Sequence, residues 1–476
     1  MAASVPISKT IYLGAFAHCI SLANLEICAR GAIGVDEQGL IQFVEKEISS
    51  PSDVTTKHPS WASAQIVSVD DGFFFPGFID THTHAPQHPN TGLFGKTTLL
   101  DWLETYTFPL EASFEDTRKA GRIYGNFVAR TLSHGTTTCA YYATRHVEAT
   151  NLLTEICLER GQRALVGRVC MDRLSPEYYR DADIESAIRD SKACIDYARK
   201  VDEKGEIVRP VVTPRFAPSC TAPCLAELGK LAREEGAFVQ THISENTGEC
   251  ELVKEWFPES ESYTHVYDEA ALLTERTILA HAIHLSKEER RLIKERGSKI
   301  SHCPASNTAL TSGCCPVREL LDEGITVGLG TDVSGGVSPS ILEEARHAIW
   351  TSRFVAMSAP SAPVATLNNA AKLSTAEALY LATRGGAAVV GLEEKIGGFD
   401  VGKEFDAQMI RLGSVPEAGD YEGTFGDEGA GGPVDIFGFE SPEEKVEKWV
   451  YSGDDRNCAA VWVRGRLVHK TARYKV

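Results

Sequence analysis

The chain has 476 residues, 43% hydrophobic and 24% charged, the balance of an ordinary soluble globular protein and not of a disordered, collagen-like or fibrous one. Its 48 basic and 66 acidic residues leave a formal charge of -18, which works against tracking nucleic-acid phosphates or docking on anionic lipid. A chain of this length predicts one large domain with a smaller companion.

Before about residue 75, "TIYLGAFAHCI", "GAIGVDEQGLIQFVEKE" and "AQIVSVDD" read as short strands and turns. The amino terminus lacks a positive stretch leading into a long apolar run, and no run of about 18 apolar residues occurs, so a cytoplasmic protein is expected. Eight strand candidates follow: "FFFPGFIDTHTH", "GTTTCAYYAT", "RALVGRVCM", "VRPVVTPRF", "AFVQTHISE", "TILAHAIHL", "KISHCPASN" and "TVGLGTDV". Helical patterns lie between them, among them "EATNLLTEICLERG", "PCLAELGKLAREEG" and "SKEERRLIKERG", the last two stopping at glycine. This β/α alternation predicts a (β/α)8 TIM barrel, with function at the carboxyl ends of the strands. A doubly wound open sheet is the competing arrangement, but "GLGTDVSGG" has Val333 where GxGxxG needs its third glycine.

After about residue 400, "EFDAQMIRL", "KWVYSG" and "AAVWVRGRLVHK" again read as strands and turns without helices. The expected organisation is a barrel over 76–395 and a small β-sandwich domain from both termini, 1–75 and 396–476. The Gly-rich segment Glu422–Asp435 reads as a mobile loop, and the carboxyl-terminal "RYKV" is taken as a chance match to a peptide signal. Thirteen cysteines, scattered and mostly in apolar runs, are expected to be reduced core thiols. Cys220 with Cys224, and adjacent Cys314 and Cys315, lack the spacing of a zinc knuckle.

In "FIDTHTH", His82 and His84 stand two residues apart, so on a strand both project from one face. Alone, the pair reads equally well as strand-end polarity. The fifth strand candidate, however, ends at His242 with Glu245 just beyond, the sixth carries His281, and the eighth ends at Asp332. In a barrel these ends converge, and imidazoles with one carboxylate suit zinc or iron with a position left open for water. Separately, His242 reads as a satisfied core histidine, Asp332 as a helix cap and Glu245 as an exposed acid at a helix start. Jointly those readings need several polar groups to meet at the functional ends of separate strands by accident. His88, between Pro86 and Pro89, is expected to lie outside the coordination shell, His134 to cap a helix end, and His284 and His347 to sit on the surface. The triplet "HVE" at His146 to Glu148 is half of a cytidine-deaminase zinc signature, but no PCxxC follows it.

The segments "PGFIDTHTHAPQ", "LLDWLETYTFPLE", "LSHGTTTCAYYAT", "GQRALVGRVCMD", "VTPRFAPSC", "THISEN", "ILAHAIHLS", "SHCPASNTALTSG" and "GLGTDVSGG", spread over about residues 73 to 400, resemble the amidohydrolase superfamily. "YTFPLE", "TPRF" and "HAPQ" resemble the branch of it that deaminates guanine. The resemblance implies zinc, with iron as the alternative, held by His82, His84, His242 and Asp332. It implies one ion per subunit, because "VRPVVTPRF" lacks the lysine that bridges two ions in binuclear relatives. It makes Glu245 the proton shuttle and His281 a contact to the activated water. It sets the purine against Gln87, Arg215 and Phe216, with His242, Glu245 and Asp332 at the reacting edge. Gln87 donates and accepts, Arg215 donates only, and Phe216 offers a flat apolar face, which agrees with those roles. The activity implied is hydrolysis of guanine to xanthine and ammonia, without an organic cofactor, by a homodimer. An amidohydrolase of another aminopurine or aminotriazine, and a non-catalytic scaffold on the same fold, are the alternatives. The scaffold predicts gaps among the ligands, and this sequence has none.

Overall fold

The computed structural model describes residues 7–48, 50–358, 369–415 and 432–474. Most of the Gly-rich segment, 422–431, lies outside the described residues, as do Lys475 and Val476 of the terminal motif.

Four strands precede the barrel: β1 (Thr10–Ser21), β2 (Asn24–Val35), β3 (Ile41–Lys46) and β4 (Gln65–Pro76). The barrel strands are β5 (Phe78–His84), β6 (Thr136–Tyr142), β7 (Arg163–Gly167), β9 (Val208–Pro214), β10 (Phe238–Ile243), β11 (Thr277–His281), β12 (Lys299–His302) and β13 (Val327–Leu329), with the two-residue β8 (Val169–Cys170) beside β9. After them come β14 (Ala407–Arg411), the short pair β15 (Gly413–Ser414) and β16 (Asp435–Ile436), β17 (Cys458–Val463) and β18 (Arg466–Lys470).

The strands outside the barrel form a seven-stranded sheet in the order β18-β17-β14-β4-β1-β2-β3. Within it β4 lies between β1 and β14: Val69 stands opposite Gly14 of β1, Gly72 opposite Arg411 of β14, and Phe74 is paired on both sides, across a break in the β1 register. In a flat sheet β1 and β17 would lie three spacings, about 14 Å, apart. Yet the rings of Tyr12 on β1 and Trp462 on β17 are 5.2 Å apart, and Tyr12 stacks on Phe405 at 4.1 Å. The expected sandwich is therefore one hydrogen-bonded sheet folded over a shared aromatic core.

Two helices break the all-strand reading of the termini, Pro51–Lys57 and Pro442–Ser452. The second contains "KWVYS", read from sequence as a strand. Ser441 and Glu444 cap each other's backbone and Pro442 fills the first turn, where its missing N–H costs nothing. Val446, Trp449 and Val450 then form the buried face, with Trp449 stacked on Phe78 at the start of the barrel.

The barrel strands run parallel from β13 through β12, β11, β10, β9, β7 and β6 to β5. The seam between first and last strand is closed by Thr81 Oγ1 donating to the Leu329 carbonyl (2.9 Å), Asp332 N–H to the His82 carbonyl (2.9 Å) and His84 N–H to the Val333 carbonyl (3.1 Å). Every residue of β5 and β6 is buried, as expected of strands covered on both faces. The helices Ala222–Glu235 and Lys287–Arg296 stop at Gly236 and Gly297, whose φ of 55° and 69° suit a residue without Cβ.

Candidate active site

Closure of the seam positions the first ligands. On β5 the two-residue period turns His82 and His84 inward together, and the Asp332 and Val333 backbone bonds draw the end of β13 against them. Asp80, fully buried beneath them, accepts from the His82 N–H (3.2 Å), the Thr331 N–H (3.0 Å) and the Thr331 hydroxyl (2.5 Å). Burial pushes its carboxyl up to about 7. Gly330 is required by close approach: a Cβ there would stand 2.6 Å from Ser301 Oγ and 2.8 Å from the His82 Cβ.

His82, His84, His242 and Asp332 present one donor atom each within 4.8 Å of one another. Asp332 Oδ1 lies 3.1 Å from His82 Nε2 and 3.3 Å from His84 Nε2, and the Nε2 atoms of His84 and His242 are 3.2 Å apart. His242 Nδ1–H donates to the Arg215 carbonyl at 2.5 Å, which leaves its Nε2 lone pair facing the cluster. Burial pulls all three imidazoles below their ordinary pKa, His84 to about 4. Burial alone would raise Asp332, but His82 and its neighbours hold it well below the carboxylate range. With both Nε2 atoms unprotonated, the 3.2 Å between His84 and His242 suits a cation held among the four donors. His82 Nε2 is also buried without a hydrogen-bond partner. The donor set fits a divalent metal ion.

Beside these ligands stand Glu245 and His281, both buried. His281 Nε2 is 3.4 Å from Glu245 Oε2 and 3.9 Å from Asp332 Oδ2, and its Nδ1–H donates to Asn307 Oδ1 at 2.9 Å. Glu245 accepts from the Ser312 hydroxyl at 3.2 Å, while burial and then Asp332 push its carboxyl well up. Beside the ligand cluster and His281, this carboxyl is placed to take a proton and return it. His281 (φ 74°) and Asp332 (φ 45°) are both in the left-handed region, which side chains with Cβ seldom occupy and which recurs at functional sites.

A cavity lies above the cluster. Gln87, Arg215 and Phe216 line it with His84, His242, Glu245 and Asp332, under an apolar cover of Leu99, Trp102, Leu103 and Leu310. The structure thus gathers every candidate residue, with His82 and His281 in the cluster beneath. His88 turns away: its Nε2 lies 3.1 Å from Asn126 Oδ1 and its ring packs on Phe127. The cysteines form no disulfide among the described residues, and Asp172, Cys220 and Cys224 make a second close group in which both Asp172 oxygens already bind Thr221.

Sequence reasoning missed the buried partners of the site residues: Asp80 and Asn307, and Glu111, which accepts from Gln87, Arg215 and the Tyr179 hydroxyl. Glu111 closes the quoted segment "YTFPLE", a signal available in the sequence, yet nothing there says whom it meets.

The amidohydrolase family model matches residues 73–468. A probable guanine deaminase of Schizosaccharomyces pombe is 46% identical over 96% of this chain and 83% of its own length. The guanine deaminase of Dictyostelium discoideum is 42% identical over 96% of this chain and 98% of its own. The crystal structure of guanine deaminase from C. acetobutylicum with bound guanine superposes with a TM-score of 0.83 at 32% identity, covering 97% of this chain and 100% of that one. No helix among the described residues is long and apolar enough to cross a membrane. By sequence and by fold, the chain belongs to the amidohydrolase family.

Proposed function

We propose that this chain deaminates guanine hydrolytically, guanine and water giving xanthine and ammonia. The observation that carries the reading is the convergence, on one cavity, of a metal-ligating cluster, a buried proton-transfer pair and three residues suited to a purine. The identity to guanine deaminases over nearly the whole chain supports the same substrate.

In this reading His82, His84, His242 and Asp332 hold one zinc ion, the ion that three imidazoles and a carboxylate suit, with iron as the alternative. When bound it supplies Lewis-acid activation of water near neutral pH. Glu245 accepts the proton released as water adds to C2 and passes it to the adjacent ring nitrogen, then takes the proton of the new C2 hydroxyl and passes it to the departing amine as the carbonyl forms. His281, held by Asn307, and Asp332 orient the attacking oxygen and meet the charge that develops. Phe216 lies along the ring face, and Arg215 and Gln87 donate to its acceptors. A homodimer in the cytoplasm is carried over from the family resemblance.

A panel of guanine, adenine and an aminotriazine, followed by ammonia release, tests the substrate. Guanine is expected to be turned over at least about a hundredfold faster in kcat/KM than the others, since a site built for specific hydrogen bonds rejects rings that leave them unmade. Equal rates across the panel would contradict the assignment.

A further inference from the structure

Behind Arg215 and Gln87, and outside the cavity lining, Glu111 is completely buried on the short helix Phe108–Ala112. Four N–H or O–H donors converge on its two oxygens: Arg215 Nη1 at 2.7 Å and Nη2 at 3.2 Å, Gln87 Nε2 at 2.8 Å and the Tyr179 hydroxyl at 2.7 Å. Burial by itself would raise this carboxyl, but Arg215 holds it below its ordinary value, so it stays charged. The Arg215 guanidinium also lies over the Phe108 ring, 5.5 Å from its centroid. Gln87 is fixed at both ends, since its Oε1 accepts from the Ser334 N–H at 3.2 Å.

Resting on the guanine reading, we infer that Glu111 is a positioning and specificity-determining residue, which aims Arg215 and Gln87 into the cavity and cancels the Arg215 charge from behind. A guanidinium has five N–H groups, and Glu111 takes two of them. The remaining N–H groups are left for the ring acceptors, but the wall that presents them has no net charge. Such a wall binds a neutral heterocycle through its carbonyl and ring nitrogen. It gains little from an anion, whose water it strips without a counter-charge to replace it. The site is thereby tuned to neutral oxopurines and against purine anions of similar outline.

Glu111→Gln keeps the shape and one acceptor but removes the charge. Four quantities are to be compared with wild type: bound metal, KM and kcat for guanine, and inhibition at neutral pH by hypoxanthine, which is neutral, and by urate, an anion. With metal retained, the variant is expected to raise KM about tenfold or more, to change kcat less, and to shift the preference toward urate over hypoxanthine about tenfold. A folded, metal-loaded variant with an unchanged hypoxanthine-to-urate preference overturns the inference, whatever its turnover. If Glu111→Gln does not fold, Tyr179→Phe removes one donor and keeps the charge; KM should rise a few-fold with the preference intact, and an unchanged KM overturns the positioning role. Failure of the wild type to release ammonia from guanine would count against the deaminase reading instead, and calorimetric binding of hypoxanthine and urate needs no turnover.

Discussion

In the proposed mechanism two residues three positions apart, His242 and Glu245, separate holding the metal from moving the proton. His242 has its Nε2 bared toward three other donors, whereas Glu245 stands outside that set and faces His281. His242→Ala is therefore expected to lose bound metal together with turnover. Glu245→Gln should keep about one equivalent of metal and lose about 10²- to 10⁴-fold in kcat, the usual contribution of a general acid–base group. Metal analysis and ammonia release on both variants check the pair; retention of a full equivalent by His242→Ala, or undiminished turnover by Glu245→Gln, would contradict the roles. At this scale the convergence of the candidate residues was legible, because side chains suited to metal ligation and proton transfer are of few types and stood at the ends of recognisable strands. Glu111, Asp80 and Asn307 were not, because a carboxylate or amide acquires its role from partners far away in sequence: Asp80 meets Thr331, and Glu111 meets Arg215.

Among the elements, the eight barrel strands were legible from their spacing and apolar runs, while the helix Pro442–Ser452 was not. Its aromatic, β-branched "KWVYS" satisfies a strand pattern as readily as a helical face, and tertiary packing of Trp449 on Phe73, Phe75 and Phe78 decides. The helix Ile341–Met357 carries a different device. Its Glu344 is fully buried and accepts from the Ala305 N–H at 3.1 Å, at the start of the helix Pro304–Ala309. Burial raises its carboxyl from 4.5 to about 7, with His347 pulling the other way and Glu343 adding to the rise. The folded chain then keeps a proton that the unfolded chain releases. The stability owed to this group is thus complete below about pH 4.5, falls as pH rises, and is lost above about 7. Glu344→Gln removes that dependence, so the variant should gain stability relative to wild type between pH 5 and pH 7.5 in denaturant titrations. A stability difference constant over that range would contradict the assignment.

On the scale of the whole molecule, the barrel and the terminal sheet meet at a buried ionic group. Arg163, at the start of β7, donates through Nε to Asp406 Oδ2 at 2.7 Å and through Nη2 to Asp406 Oδ1 at 3.1 Å and to Glu404. We propose that the barrel over 76–395 and the unit of 1–75 with 396–476 are two domains clamped here. Arg163→Met would leave the buried Asp406 carboxylate without its guanidinium, at a cost of about 3–5 kcal/mol. A clear fall in the unfolding midpoint is expected, with metal content per folded chain unchanged because the site lies at the opposite ends of the strands; an unaltered midpoint would contradict the clamp. The terminal sheet shows why this scale was only partly legible. Local pattern gives strands but not their partners, and the fold-over depends on β4 pairing with β1 on one side and, on the other, with β14, more than 300 residues away.

The most direct test of the account is to give the purified protein guanine, follow xanthine and ammonia, and measure bound metal in the same sample. The account predicts equimolar xanthine and ammonia with about one divalent ion per chain. Activity should be lost on chelation and restored by zinc. Full turnover by metal-free protein, or metal-loaded protein that releases no ammonia from guanine, would contradict it.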